Sequence, residues 1–410
     1  MKEGFDKIQL KDACAVFADG DWIERKDQSN EGIRLVQTGN IGFGFFKDKK
    51  DKSRFISEET FNRLNCTEII PGDLLVSRLP DPVGKSCIIP EINSKMITGV
   101  DCTIIRPKDN LSSKFLGYYQ MSNQYLKDVL SNVSGATRQR ISRKKLGLIE
   151  IPIPPLTQQK QIVAILDKAF AAIDTAKANA EQNLQNAKEL FESYLQNVFE
   201  NKGDDWVTST IGESCNLMTG GTPSRSKKEY FDNGTINWLV SGDINKKEIN
   251  DCEGKITELG FENSNTKFLP LNSVMIALNG QGKTRGTVAM LRIKATCNQS
   301  LVSIYPKDDC SLLPELIYAN LEGRYNEIRK ITGDSGNDRR GLNMPLIRNI
   351  SFSYPTSIDE QKVIIRQLAS LKSKTKKLEA IYTQKLADLE EIKKSVLQKA
   401  FSGELTNKTV

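Results

Sequence analysis

With 410 residues, 38% of them hydrophobic, the chain exceeds what a single core usually holds, so two or more domains are expected. Its 58 Lys+Arg against 51 Asp+Glu leave a net charge of +7, a mild lean toward polyanionic partners. The count of zero histidines removes the usual general base, the Ser-His-Asp and Cys-His nucleophiles and the H-E-x-x-H zinc site together, so catalysis must use carboxylates or not occur.

In residues 1–153, short apolar runs such as Ile69-Ile70, Leu74-Leu75-Val76 and Cys102-Thr103-Ile104-Ile105 alternate with turns such as Pro71-Gly72-Asp73, which predicts strands. Residues 115–130 read as one helix. Pro154-Pro155 then precedes a run over 157–199 with apolar or small residues at Ile162, Leu166, Ala169, Ile173, Ala176, Ala180, Asn183, Ala187, Leu190 and Tyr194. Steps of four and three are a coiled-coil seam, and the run predicts one helix roughly 60 Å long at about 1.5 Å per residue. Thr157 is the expected N-cap and Gly203 follows the end.

From 204 to 355 the order returns, with strands expected at Ile236-Asn237-Trp238-Leu239-Val240, Val274-Met275-Ile276-Ala277 and Leu301-Val302-Ser303-Ile304-Tyr305-Pro306, then a helix over 314–330. After Pro355 a second seam runs through Ile364, Leu368, Leu371, Thr375, Leu378, Tyr382, Lys385, Leu389, Ile392 and Val396, with Asp359 as expected N-cap and Gly403 beyond the end.

The two halves share a register. Gln159 matches Gln361, Leu166 matches Leu368 and Phe199 matches Phe401 without a gap. Thr38-Gly39-Asn40-Ile41 matches Ser241-Gly242-Asp243-Ile244. Ser134-Gly135, Ile141 and Leu146 match Ser335-Gly336, Leu342 and Ile347.

The chain is therefore two copies of one unit: a domain over 1–153 with a long helix over 154–203, then a domain over 204–355 with a second helix and tail over 356–410. A domain of that size spans only about 30–40 Å, yet the second must start beside the end of the first helix and finish beside the start of the other. The helices are thus expected to run antiparallel. The expected fold class is mixed α/β, with mixed sheets and helices in two domains separated by an antiparallel coiled coil and related by a pseudo-twofold repeat.

Several motifs invite chemical readings. Gly280-Gln281-Gly282-Lys283-Thr284 imitates the end of a phosphate-binding loop, but Ala277 stands where the leading glycine belongs. Gly84-Lys85-Ser86 sits at the matching place in the first copy, so a flexible cation after a strand is the shared expectation. Asp243 with Glu253-Gly254-Lys255 imitates a nuclease metal site, but such triplets recur, as in Asp48-Lys49-Lys50. No G-x-G-x-x-G or N-P-P-Y-like tetrapeptide occurs. The cysteines at 14, 66, 87, 102, 215, 252, 297 and 310 form no C-x-x-C pair and are expected to be buried free thiols. No catalytic residue and no metal site is expected.

Clustered cations carry more weight. In the first copy Arg138, Gln139, Arg140, Arg143 and Lys144 lie between Val129 and Ile149 with no acidic residue, and Arg78, Lys85 and Ser86 join them as expected DNA-binding residues. The second offers Asn279, Gln281, Lys283 and Arg285 from one loop and Asn337, Arg339 and Arg340 from another. Arg and Asn or Gln are the side chains that read guanine and adenine bidentately.

Three marks in order resemble one known family: Ile151-Pro152-Ile153-Pro154-Pro155-Leu156-Thr157-Gln158-Gln159-Lys160 at the first junction, Gly220-Gly221-Thr222-Pro223-Ser224 opening the second domain, and Lys399-Ala400-Phe401-Ser402-Gly403-Glu404-Leu405 near the end. Over essentially its whole length the chain is similar to the DNA-specificity subunits of Type I restriction-modification enzymes. The resemblance implies two target-recognition domains, each reading half of a split double-stranded DNA site, and helices that act as ruler and dock for two methyltransferase subunits. Restriction (motor-nuclease) subunits would join in the full complex. S-adenosylmethionine, ATP and Mg would sit on the partners and no cofactor on this chain.

The second junction departs from the pattern, because Ser353-Tyr354-Pro355-Thr356-Ser357 lacks the paired proline. The competing expectations are a stand-alone DNA methyltransferase or nuclease and a coiled-coil scaffold binding protein or RNA. The opening Met1-Lys2-Glu3-Gly4 lacks the apolar core of a signal peptide, which with the absence of any ~18-residue apolar run predicts a cytoplasmic protein.

Overall fold

In the first domain the strand Leu74–Ser77 is apolar on both faces and fully buried, so it forms a centre on which neighbours assemble. The computed structural model describes residues 6–135, 139–280, 283–332, 341–402 and 404. Leu74–Ser77 pairs antiparallel with Cys102–Pro107 on one side and Ser86–Ile88 on the other, and Cys14–Asp19 extends the sheet beyond Cys102–Pro107. A second four-stranded sheet is mixed, with Ile33–Val36 parallel to Met96–Thr98 and flanked by Arg54–Ile56 and Glu68–Ile69.

The second domain repeats this plan. Val274–Ala277 is the buried centre between Leu301–Pro306 and Val288–Leu291, with Cys215–Thr219 and Glu248–Ile249 at the edges. Ile236–Leu239 lies parallel to Thr296–Cys297, as Ile33–Val36 does to Met96–Thr98. A two-stranded ribbon closes each domain beside its long helix: Lys7–Gln9 with Glu150–Pro152, and Trp206–Thr210 with Ser351–Pro355.

The long helices span Leu156–Glu200 and Ile358–Ser402. The chain forms two compact units, 1–181 with 384–410 and 182–383, so each long helix contributes to both. In the first unit Lys177 pairs with Glu390 at 2.7 Å and Asp174 with Lys393 at 3.9 Å. Numbers fall along one helix as they rise along the other, which is antiparallel packing. The second unit shows the same sense, with Tyr194 donating to Gln367 at 3.1 Å and Lys372 lying 5.7 Å from the Phe191 ring centroid.

Five expectations need correction. The seam is shifted by one residue at alternate positions: Leu190 and Ile392 are 49% and 48% exposed, while Phe191 and Lys393 are half-buried. The helices pack on their domains as well as on each other, and the Lys393 stem brings its ammonium 4.6 Å from the Phe170 ring centroid. The N-caps also move. The helices begin at Leu156 and Ile358, which puts Thr157 and Asp359 inside the first turn, and the Ser357 hydroxyl accepts from Glu360 N.

The single helix expected over 115–130 is two, Ser113–Gln120 and Asn123–Ser131, because the Ser122 hydroxyl caps the second by accepting from Tyr125 N. Likewise 314–330 divides into Pro314–Gly323 and Tyr325–Lys330. Finally, seven cysteines are buried free thiols but Cys310 is only half-buried.

Candidate nucleic-acid interface

In each unit a hairpin projects from the central strand. The backbone fixes its base: Gly84 N donates to Ser77 O and Gly286 N to Ala277 O, both glycines having positive φ, +86° and +79°. The match between the loops is therefore Gly84 with Gly286. The expected match of Lys85 with Lys283 is a correction, because the second loop is longer and Lys85 falls opposite Thr287. Lys283 stands exposed within the loop, its carbonyl accepting from the Tyr325 hydroxyl at 2.7 Å. The chain turns over 283–286 and enters the strand Val288–Leu291, so no helix follows to cradle a phosphate.

Two more backbone links complete the frame. Arg78 N donates to Asp101 O at 2.9 Å and Ile141 N donates to Arg78 O at 3.2 Å. In the second unit Leu278 N donates to Ser300 O and Leu342 N to Leu278 O, both at 2.9 Å. One skeleton thus carries Arg78, Asp101 and Ile141 in one copy and Leu278, Ser300 and Leu342 in the other. Thr38–Asn40 and Ser241–Lys246 lie at equivalent places, braced by Gln37 N to Asn40 Oδ1 at 3.0 Å and Val240 N to Asp243 Oδ2 at 2.9 Å. Asp243 is buried in that brace and pairs with Lys246, which accounts for it structurally.

In the first unit Gln139, Arg140, Arg143 and Lys144 are exposed on one surface. Arg140 pairs with Asp101 at 3.2 Å and Arg143 with Asp19 at 3.7 Å. Arg78 and Ser86 were expected beside them as DNA contacts, and both are buried. Arg78 is 4% exposed, pairs with Asp19 at 3.3 Å and donates to Val100 O, while Ser86 is 2% exposed within a strand. Burial holds the Arg78 guanidinium below its usual pKa, with Asp19 opposing.

Lys85 is half-buried and donates to Asp81 O at 2.9 Å. Burial and then the Lys47 charge hold its ammonium below the ordinary lysine value, with Asp81 opposing and Lys49 adding. Sequence reading missed Lys47 and Lys49, whose Asp48 neighbour disguised them; Asp48 is taken up by Arg34 at 2.5 Å. Exposed Phe45 stands among these groups, its ring centroid 5.5 Å from Lys47 Nζ. An aromatic face and ammonium groups with no ion pair among the described residues together suit a nucleic-acid surface.

In the second unit Asn279 and Lys283 are exposed and Arg285 is half-buried. Arg138, Gln281, Asn337, Arg339 and Arg340 lie outside the described residues. Among the described residues no group of three His, Cys, Asp or Glu could hold a metal ion, and no helix is long and apolar enough to cross a membrane.

The sequence model of the Type I restriction modification DNA specificity domain matches residues 2–186 and again 203–390. The chain belongs to that family. Relatives include the EcoR124I/EcoR124II specificity subunit of Escherichia coli, 29% identical over 233 residues, 55% of this chain and 56% of that one. The match thus spans just over half the length of that relative. The EcoKI specificity subunit of Escherichia coli K12 is 25% identical over 91% of this chain and 82% of its own.

Among solved structures, a chain from work on complex assembly and conformational transition of the type I R-M system superposes with a TM-score of 0.74 at 16% identity, covering 98% of each chain. The HsdS subunit of Thermoanaerobacter tengcongensis gives 0.62, also at 16% identity and 98% of each chain. Both structures share the mixed α/β two-domain architecture.

Proposed function

We propose that the chain is the DNA-recognition subunit of a Type I restriction-modification complex, each domain reading one half of a bipartite duplex site and the long helices setting the spacing. The observation that carries this reading is the doubled backbone frame: one skeleton around the same hairpin, furnished with different side chains, suits two different half-sites. The catalytic work falls to partners, two methyltransferase subunits using S-adenosylmethionine and restriction subunits using ATP and Mg. Leu190 and Ile392 support the count of two, because a large apolar side chain is exposed at the same place in both repeats. Such a pair fits two copies of one partner.

The test is to purify the chain alone and with its methyltransferase partner and to incubate each with duplex DNA and S-adenosylmethionine. Methyl transfer restricted to one bipartite sequence, only when both proteins are present, is expected. Methyl transfer by the chain alone refutes the division of labour.

A further inference from the structure

We propose that Asp101 and Asp19 are positioning residues that preset Arg140 and Arg143 to read bases of the first half-site. This rests on the DNA-recognition reading above.

The argument begins with Arg78. Its backbone N–H holds the carbonyl of Asp101 and its carbonyl holds the N–H of Ile141, so one strand-end residue brings positions 101 and 140 side by side. Its guanidinium is buried, with Nε lacking a hydrogen-bond partner, and reaches Asp19 at 3.3 Å and the carbonyl of Val100. Thr103 Oγ1 also donates to Asp19 at 3.4 Å. Asp19 is therefore fixed from beneath, and its other oxygen meets exposed Arg143 at 3.7 Å. Asp101 meets exposed Arg140 at 3.2 Å.

A free arginine on a surface loses side-chain entropy when it is pinned on a base. A carboxylate that already holds one edge of the guanidinium removes part of that cost and leaves the other N–H groups for the O6 and N7 of guanine. It also offsets the cation's charge, which makes the braced arginines poorer phosphate ligands than Lys144 and Lys145, which have no carboxylate partner among the described residues. Lysines for phosphates and braced arginines for bases is the division that follows.

The second unit provides the control. The same backbone links hold Leu278, Ser300 and Leu342, so the frame persists while the buried guanidinium and the carboxylate are gone. At these three positions the fold does not require the brace.

The experiment selects bound sequences from a randomised duplex pool with the full chain and its methyltransferase partner, for wild type, Asp101→Asn, Arg140→Lys and Lys144→Gln. Asp101→Asn and Arg140→Lys should each lower the preference for guanine at one position of the first half-site, the same position in both, by roughly 5- to 100-fold, the range of one bidentate contact. The second half-site should be unchanged. Lys144→Gln should leave the selected sequence intact while weakening binding uniformly and flattening the salt slope by about one unit.

The proposal is overturned if Asp101→Asn retains the wild-type preference, if Asp101→Asn and Arg140→Lys act at different positions, or if both erase the whole first half-site. If the wild-type complex selects no sequence at all, the DNA-recognition reading itself fails, a result distinct from these.

Discussion

Gln159 and Gln361 are wholly buried and make the same three hydrogen bonds. Gln159 Oε1 accepts from Ser112 N at 2.8 Å, and its Nε2 donates to Asn110 O and Pro154 O at 2.9 and 2.8 Å. Gln361 does the same with Leu313 N, Ser311 O and Pro355 O at 2.8, 2.7 and 2.8 Å. Each amide latches the first turn of a long helix to its domain. Replacing either by alanine removes three hydrogen bonds, so a loss of about 2–4 kcal/mol is expected, at ~0.5–1.5 kcal/mol net per bond. Denaturant midpoints of Gln159→Ala and Gln361→Ala check this, and an unchanged midpoint in either would remove the latch.

The residue scale also marks what sequence leaves hidden. Arg78 looked like a surface cation because the groups that bury it, Asp19, Val100 and Asp101, lie elsewhere in the chain. A Gly-Lys dipeptide in each loop suggested one alignment, whereas the positive φ of Gly84 and Gly286 sets another. By contrast Gln159 and Gln361 were legible as a pair, since a repeat in register needs no tertiary knowledge.

Among elements, the helix Pro314–Gly323 is tied to the second long helix through Glu322. Lys372 reaches the carboxylate at 2.7 Å, Lys247 at 3.4 Å, and the Tyr318 hydroxyl donates to it at 2.8 Å. Burial disfavours the charge, but Lys372, Tyr318 and Lys247 outweigh it and hold the carboxyl below the usual glutamate range. A depressed pKa stabilises the fold above the unfolded value near pH 4.5, and that contribution is lost as pH falls through the folded value. Unfolding of the second unit, followed by Trp206 and Trp238 fluorescence in a Trp22→Phe background, should therefore lose stability more steeply on acidification below about pH 4.5 than Glu322→Gln does. Parallel curves for both proteins would contradict it.

Element type was readable from periodicity, and element ends were not. Ser122 stops a helix that apolar spacing would continue. Gly323 ends another where a Cβ would lie 2.4 Å from the Leu195 side chain. The one-residue shift of the seam arises because each long helix serves two neighbours, its partner helix and its domain, and a heptad describes only the first.

For the whole molecule, the antiparallel helices carry the proposed ruler. Removing 180–186 from one and 378–384 from the other keeps the Lys177–Glu390 pair in the first unit and the Phe191–Lys372 contact in the second. It also brings Ala187 into the place of Ala180, both buried alanines. Seven residues are about 10 Å of helix, or roughly three base pairs at about 3.4 Å each. The half-site sequences selected should stay the same while the preferred spacer changes; a folded variant that keeps the original spacer refutes the ruler. If the proposed methyltransferase partner binds in two copies, Leu190→Asp and Ile392→Asp should each weaken its capture, and the pair together should abolish the second bound copy, as counted by light scattering.

The glutamine latch touches only main chain: one amide N–H and two carbonyls at each junction, with no side chain on the domain side. The latch itself sets no condition on the domain's side chains; those conditions lie in the packing around it, such as Tyr118 on Phe170 and Gly323 under Leu195. Drift can therefore rewrite the exposed reading surface while the latch stays in working order, provided that the few residues packed on the helices, among them Tyr118, Glu322 and Gly323, are kept.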